Sequence, residues 1–192
     1  EGRRHMSTSQ TNPHRNREWL AEKINNNMSY AEIAKEAGVK ELTIVNWLLK
    51  FGLFYNPVLR PPDIFDNIEF SVILKGNPVT KKNSRSFGGG RPAPNKRYYP
   101  YSLYYVSYLK KIASDLNMSL PLSDRYILTC NFFRGDKRRV DISGLYEAPQ
   151  DILVESGILV DDMCSVIIGH DESRVYYDKE NPRTELYIRR VQ

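Results

Sequence analysis

Apolar positions recur at helical spacing in the first quarter of the chain and alternate further on, and the change of period divides the sequence into two parts. Residues 17–51 predict three short helices. Trp19, Leu20 and Ile24 form the inner face of the first, Tyr30, Ile33, Ala34 and Ala37 that of the second, and Ile44, Trp47 and Leu48 that of the third. Ser29 followed by Glu32 is a capping box opening the second helix. Gly38 permits a tight turn and Val39 plugs the corner before the third. Residues 55–66, YNPVLRPPDIFD, hold three prolines and no helical period, and read as a semi-rigid linker. Beyond them Ile68, Phe70, Val72 and Leu74 alternate as a strand. The polar, glycine-rich GNPVTKKNSRSFGGGRPAPNKRYY reads as a loop, and Tyr105, Leu109, Ile112 and Leu116 mark one stripe of a helix over 102–116. Further strands are expected over 126–133, 166–168 and 184–191. A helix over 145–156 ends at Gly157; Pro149 inside it either bends its first turn or marks its regular start. The expected fold is α+β, a mixed-sheet domain over 67–192 behind a small all-α domain over 15–54.

The chain has 192 residues, 41% of them hydrophobic, enough to bury a proper core in one or two domains. No apolar run approaches the roughly 18 residues a membrane span needs, and the opening lacks a signal peptide's apolar stretch, so a cytoplasmic protein with no membrane partner is expected. EGRRHM reads as a cloning remnant, with the native chain starting at Met6 and residues 1–14 a disordered tail. That leaves His170 as the histidine free for chemistry, and a histidine-based metal site is not expected. Cys130 and Cys164 sit in strand-like apolar surroundings without zinc-ligand spacing, and are expected to be buried, inert thiols.

Net charge is +5 but unevenly placed. Residues 75–140 hold 14 basic and 3 acidic side chains, whereas residues 141–192 hold 5 basic and 11 acidic. A basic stretch beside an acidic one suits a polyanion-binding surface next to a cation-binding cluster, as phosphodiester chemistry requires. A solvated surface of uneven charge is the plainer alternative.

The segment SYAEIAKEAGVKELTIVNWLLKFGL resembles the helix-turn-helix of DNA-binding regulators and recombinases. On its third helix Lys40, Glu41, Thr43, Asn46 and Lys50 are expected to be exposed, with Asn46 and Lys50 placed to read base edges. Leu42, Val45 and Leu49 make the remaining face apolar. Contact with DNA and contact with protein are both open to this helix.

The densest chemistry lies in RRVDISGLYEAPQDILVESGILVDDMCSV, residues 138–166. Asp141 follows a basic run, Glu147, Asp151 and Glu155 recur at i, i+4 and i+8, and Asp161 and Asp162 precede the next strand. Three carboxylates on one helix face repel, and need a cation or basic neighbour to offset them. A solvated helix face is the bland account of these three. Hard divalent metals take oxygen ligands and usually only one to three carboxylates.

That order, an acidic residue ending a basic strand, a helix with D-I-L, a glycine and then D-D, resembles the RusA family of Holliday-junction resolvases. The upstream GNPVTKKNSR and downstream HDESRVYYDKENPRTELYI resemble its phage and prophage members, so that the likeness covers roughly residues 68–190. The resemblance implies a homodimeric, Mg²⁺-dependent nuclease that nicks a four-way DNA junction symmetrically, with Mn²⁺ as a substitute metal. The family's acidic cluster falls on Asp141 and Asp162, with Asp161 beside it. Two departures stand out: the family's second aspartate is Ser143 here, and its helix lysine is Glu147. Either a ligand is lost, or Glu147 supplies the missing carboxylate, which is the expectation carried forward. Asp141, Glu147 and Asp162 would then hold Mg²⁺ and a metal-bound water would attack the phosphate, with Asp151 in support.

Lys81, Lys82, Asn83, Ser84 and Arg85, with Arg91, Lys96 and Arg97, are expected to grip phosphates, and Lys137, Arg138 and Arg139 to contact the cleaved strand. Tyr98, Tyr99 and Tyr101 are either base-stacking platforms or partial core. Two rival readings remain: a non-catalytic DNA-binding regulator, and a nuclease acting on flaps or forks.

Overall fold

A computed structural model describes residues 12–55, 67–81, 96–116 and 118–191. It is a mixed α+β protein with a mixed sheet. Three short helices come first: α1 (Arg17–Asn25), α2 (Tyr30–Ala37) and α3 (Glu41–Phe51). Then follow β1 (Ile68–Lys75), α4 (Tyr98–Asp115), β2 (Tyr126–Arg134), α5 (Ile142–Glu155), β3 (Ile167–Gly169), β4 (Arg174–Tyr177) and β5 (Arg183–Arg190).

Local signals set the helical part. Asn16 caps α1 by accepting from the amides of Glu18 and Trp19. Ser29 Oγ accepts from Glu32 N at 3.3 Å while Glu32 Oε2 accepts from Ser29 N at 2.7 Å, so the capping box closes in both directions. Gly38 adopts φ +65°, the left-handed conformation that ends α2 without a Cβ clash. One expectation fails at the start of the chain. His14, assigned to a disordered tail, lies in a 3-10 turn (Pro13–Arg15) and is 5% exposed, edge-on to Trp47.

The sheet order is β1-β5-β2, with β3 and β4 occupying successive stretches along the far flank of β2. β5 is antiparallel to both β1 and β2; β3 and β4 are parallel to β2. The gap between β3 and β4 is bridged by side chains. Ser173 Oγ accepts from Cys130 N at 2.9 Å, and Thr129 Oγ1 donates to Asp171 O at 2.8 Å, so the buried Cys130 amide of β2 and the Asp171 carbonyl both stay paired where the neighbouring strand breaks.

The chain returns from β2 to parallel β3 through α5. The helix starts beside the C-terminal end of β2, where Thr80 lies over Gly144. It ends near the N-terminal end of that strand, where Leu159 bridges to Leu122 and Tyr126 pairs with Ile167. The helix is longer than the 145–156 expected. It begins at Ile142 and runs unbroken through Pro149, which is buried inside it.

One contiguous core joins the two parts of the chain. α4 supplies Tyr101, Tyr104, Tyr105 and Tyr108, none more than 2% exposed. Tyr104 lies 6.1 Å from Tyr30 of α2 and 5.7 Å from both Phe54 and Tyr55. The Tyr55 hydroxyl donates to Met28 O at 2.7 Å and its amide to the Tyr104 hydroxyl at 3.2 Å. Of the apolar face of α3 that sequence left open, Val45 is fully buried where α3 packs on α4, while Leu42 and Leu49 are half-buried.

Candidate functional site

Asp141 is the N-cap of α5, yet its side chain makes no capping hydrogen bond and is exposed. An aspartate at this position ordinarily accepts from the amide two or three residues on. Lys137, Arg138 and Arg139, all exposed, precede it in the turn that leaves β2. That turn is rigidly held. Asp136 accepts from Asn77 Nδ2 at 3.0 Å, from Arg134 Nη2 at 2.8 Å and from Arg138 N at 3.0 Å, while Asn77 Oδ1 accepts from Gly135 N at 2.7 Å. Asn77 and Asp136 thereby tie the chain leaving β1 to the turn carrying the three cations. Neither stood out in the sequence; their signal is the backbone they satisfy.

Along α5, Glu147, Asp151 and Glu155 share a face as expected, and the basic neighbour that offsets them is Lys81. Its ammonium lies 2.7 Å from Asp151 Oδ2, which also accepts from the Tyr98 hydroxyl at 3.1 Å. The bond to Asp151 raises the lysine's pKa, with Glu147 and Glu155 adding to the effect. The Tyr98 hydroxyl is pushed up by burial first and by Asp151 second. Asp151, put forward as a metal ligand, is therefore engaged by Lys81 and Tyr98. Lys81, assigned to phosphate, is half-exposed and partnered.

Asp161 and Asp162 follow the far end of the same helix. Asp161 Oδ1 accepts from Met163 N at 3.0 Å in a tight turn, and Asp162 is exposed. α5 has 14 residues, so at 1.5 Å rise per residue about 20 Å of helix separates Asp141 from the aspartate pair. Asp141 and Asp162, expected to share one metal, thus lie beyond opposite ends of the helix, with Glu147 in its second turn. Among the described residues no three His, Cys, Asp or Glu side chains gather as a group able to hold a metal ion. The described residues of one chain do not bring Asp141 and Asp162 to a common Mg²⁺ site.

His170 is committed elsewhere. Its Nδ1 donates to Leu128 O at 2.9 Å, which leaves Nε2 to accept from Gln150 Nε2 at 3.3 Å, and its ring stacks on Tyr146 at 4.1 Å. Of the cysteines, Cys130 is buried and its thiol pKa is driven up by burial, but Cys164 is exposed, against expectation.

The three tyrosines differ in their surroundings. Tyr101 is core, Tyr98 holds Asp151, and Tyr99 is 59% exposed. All three sit in the opening turn of α4, which sequence had read as loop. Lys96 and Arg97 precede that turn and are exposed. On α3, Asn46 is exposed, and the Lys50 ammonium rests 4.4 Å from the centre of the Trp47 ring. Lys82, Asn83, Ser84, Arg85 and Arg91 lie outside the described residues.

No helix of the described residues is long and apolar enough to cross a membrane. No family model matches the chain, and no curated protein matches it.

Proposed function

We propose that the protein is a structure-selective endonuclease of RusA type, acting as a homodimer on four-way DNA junctions with Mg²⁺ in the cytoplasm of a bacterial host, and carrying a helix-turn-helix in α2 and α3. The observation that carries the reading is Asp141. It forgoes the capping bond that would stabilise α5, a loss of about 1 kcal/mol, and stands exposed beside Lys137, Arg138 and Arg139. A carboxylate kept out of structural work and set among phosphate-binding cations is what a phosphodiester-cleaving site needs. Asp161 and Asp162 at the other end of α5 supply the same chemistry some 20 Å away. A metal that takes both Asp141 and Asp162 draws them from two copies of the chain, which gives the homodimer a chemical reason.

The test is cleavage of a labelled four-way junction, with linear duplex and flap controls, in Mg²⁺ and in EDTA. Paired, metal-dependent nicks on the junction are expected. Asp141→Asn and Asp162→Asn should each abolish them while leaving binding intact. Mixing the two variants should restore nicking at one site per dimer, because one composite site then carries both intact aspartates. Two inactive variants that stay inactive when mixed, with exchange of subunits verified, would falsify the two-copy site.

A second reading, a DNA-binding protein without nuclease activity, is favoured by one observation, the lack of a three-ligand group among the described residues. Tight junction binding with no cleavage in Mg²⁺ or Mn²⁺ would establish it.

A further inference from the structure

Where the turn between α2 and α3 faces the start of α4, the surface forms a cleft of about 530 Å³. Lys35 and Lys40 stand on one wall, and Lys96 and Arg97 on the other, with Glu41 the single acid among its lining residues. Lys35, Lys40 and Lys96 form no ion pair among the described residues. These three lysines around so small a space repel one another, a cost that a bound anion removes. Between the walls the lining is apolar, from Ala31, Ala34, Leu42 and Pro100. Tyr99 borders the cleft with 59% of its surface in water, although Tyr98 and Tyr101 beside it are both used in packing.

We infer that this cleft binds an unpaired nucleotide within a single-stranded stretch of nucleic acid, the base stacking on Tyr99 over the apolar floor and the flanking phosphates lying on the lysines. The chemistry selects this occupant. A base offers a flat π-face for an exposed aromatic ring, and its backbone offers repeated anions for paired cationic walls. The volume falls within the range of small-ligand sites, roughly 300–1,000 Å³. A concave cleft suits an extruded base, whereas duplex is read by convex elements entering a groove. The walls come from both parts of the chain, so the three-helix part contributes to the grip on unpaired DNA beside a junction. The inference rests on the nucleic-acid side of the proposed function and is independent of cleavage.

The experiment is fluorescence anisotropy of the full chain with a labelled oligo(dT) strand, a hairpin duplex and an oligoglutamate peptide. Tyr99→Ala should weaken oligo(dT) binding on the order of tenfold, and Tyr99→Phe should retain it. Lys35→Glu combined with Lys40→Glu should weaken it further and lower the salt dependence by about 0.7 per lysine removed. Lys110→Glu on exposed α4 surface should change little. All these positions are exposed, and circular dichroism melts establish that the variants fold. Oligo(dT) affinity unchanged by the Tyr99 and lysine variants, no oligo(dT) binding by the wild type, or tighter binding of oligoglutamate that ignores Tyr99 would each overturn the inference. Loss of oligo(dT) binding in these variants of a protein that cuts no junction leaves the cleft standing and removes the nuclease; junction cleavage with oligo(dT) affinity unmoved does the reverse.

Discussion

Helices α4 and α5 pack against each other, and they place their polar groups in opposite directions. α4 turns tyrosines inward, where Tyr104 and Tyr105 find partners: Tyr105 donates to Lys75 O at 2.6 Å and Tyr104 accepts from Tyr55 N at 3.2 Å. Burial raises the pKa of both phenols, so each is held as a neutral hydroxyl. α5 buries aliphatic Leu145, Ile152 and Leu153 and sends Glu147, Asp151 and Glu155 outward. A phenol can be dehydrated once its single hydroxyl is paired, whereas a carboxylate stripe must stay near water or a cation. α4 is therefore a seam that fixes the three-helix part to the sheet, and α5 is a helix with acidic side chains along one face and beyond both ends. They meet at the Tyr98–Asp151–Lys81 cluster, one group from each helix and one from the chain after β1.

The largest effect that would break this comparison is at Tyr105. Tyr105→Ala removes a fully buried ring touching Tyr101, Tyr104 and Tyr108, and is expected to cost about 3–5 kcal/mol. Tyr105→Phe keeps the ring but leaves Lys75 O unpaired, at about 1 kcal/mol. Urea unfolding of both should show single transitions, because α4 belongs to one core with the three-helix part. A separate early transition of the helices in Tyr105→Ala, absent from the wild type, would mean that the seam carries less than its burial suggests.

A smaller effect separates local from tertiary control of the same seam. Ser29→Ala deletes one half of the capping box beneath Tyr30 and should cost about 1 kcal/mol, seen as a fall in melting temperature of roughly 2–4 °C. If α4 alone holds α2 in place, the melting temperature will not move.

How far sequence carried depends on whether a signal was local. The capping box, the Gly38 turn and the alternation of β1 are properties of neighbouring residues, and they stand where the sequence put them. β4 escaped because Arg174, Val175, Tyr176 and Tyr177 are all exposed, so no in-and-out pattern marks the strand. The first turn of α4 escaped because Pro100 reads as a breaker, although in an opening turn its missing amide has no partner to lose. α5 was cut short for a related reason: Ser143 and Gly144 are poor helix formers and Pro149 interrupts the pattern, and packing overrides all three. The wide separation of the acidic groups was not legible either. Asp141 and Asp162 look like neighbours in a motif, but the parallel pairing of β2 with β3 obliges α5 to run the length of the sheet between them. That acidic residues cluster along one segment was legible; which end of a helix each occupies was not.

The smallest predicted effect tests the point where the two helices meet. Lys81 is half-exposed, so its pair with Asp151 contributes no more than about 1 kcal/mol. Because the folded pKa of Lys81 is raised above its ordinary value of 10.5, its contribution is full below that value and is lost as pH rises through the folded pKa. Wild-type stability should therefore fall slightly further than that of Lys81→Met in the alkaline range above 10.5, and the two should run parallel below it. Tyr98→Phe in the same background separates the two partners of Asp151: if Lys81 is what steadies the carboxylate stripe, the alkaline difference persists without the phenol, and its disappearance would assign that role to α4.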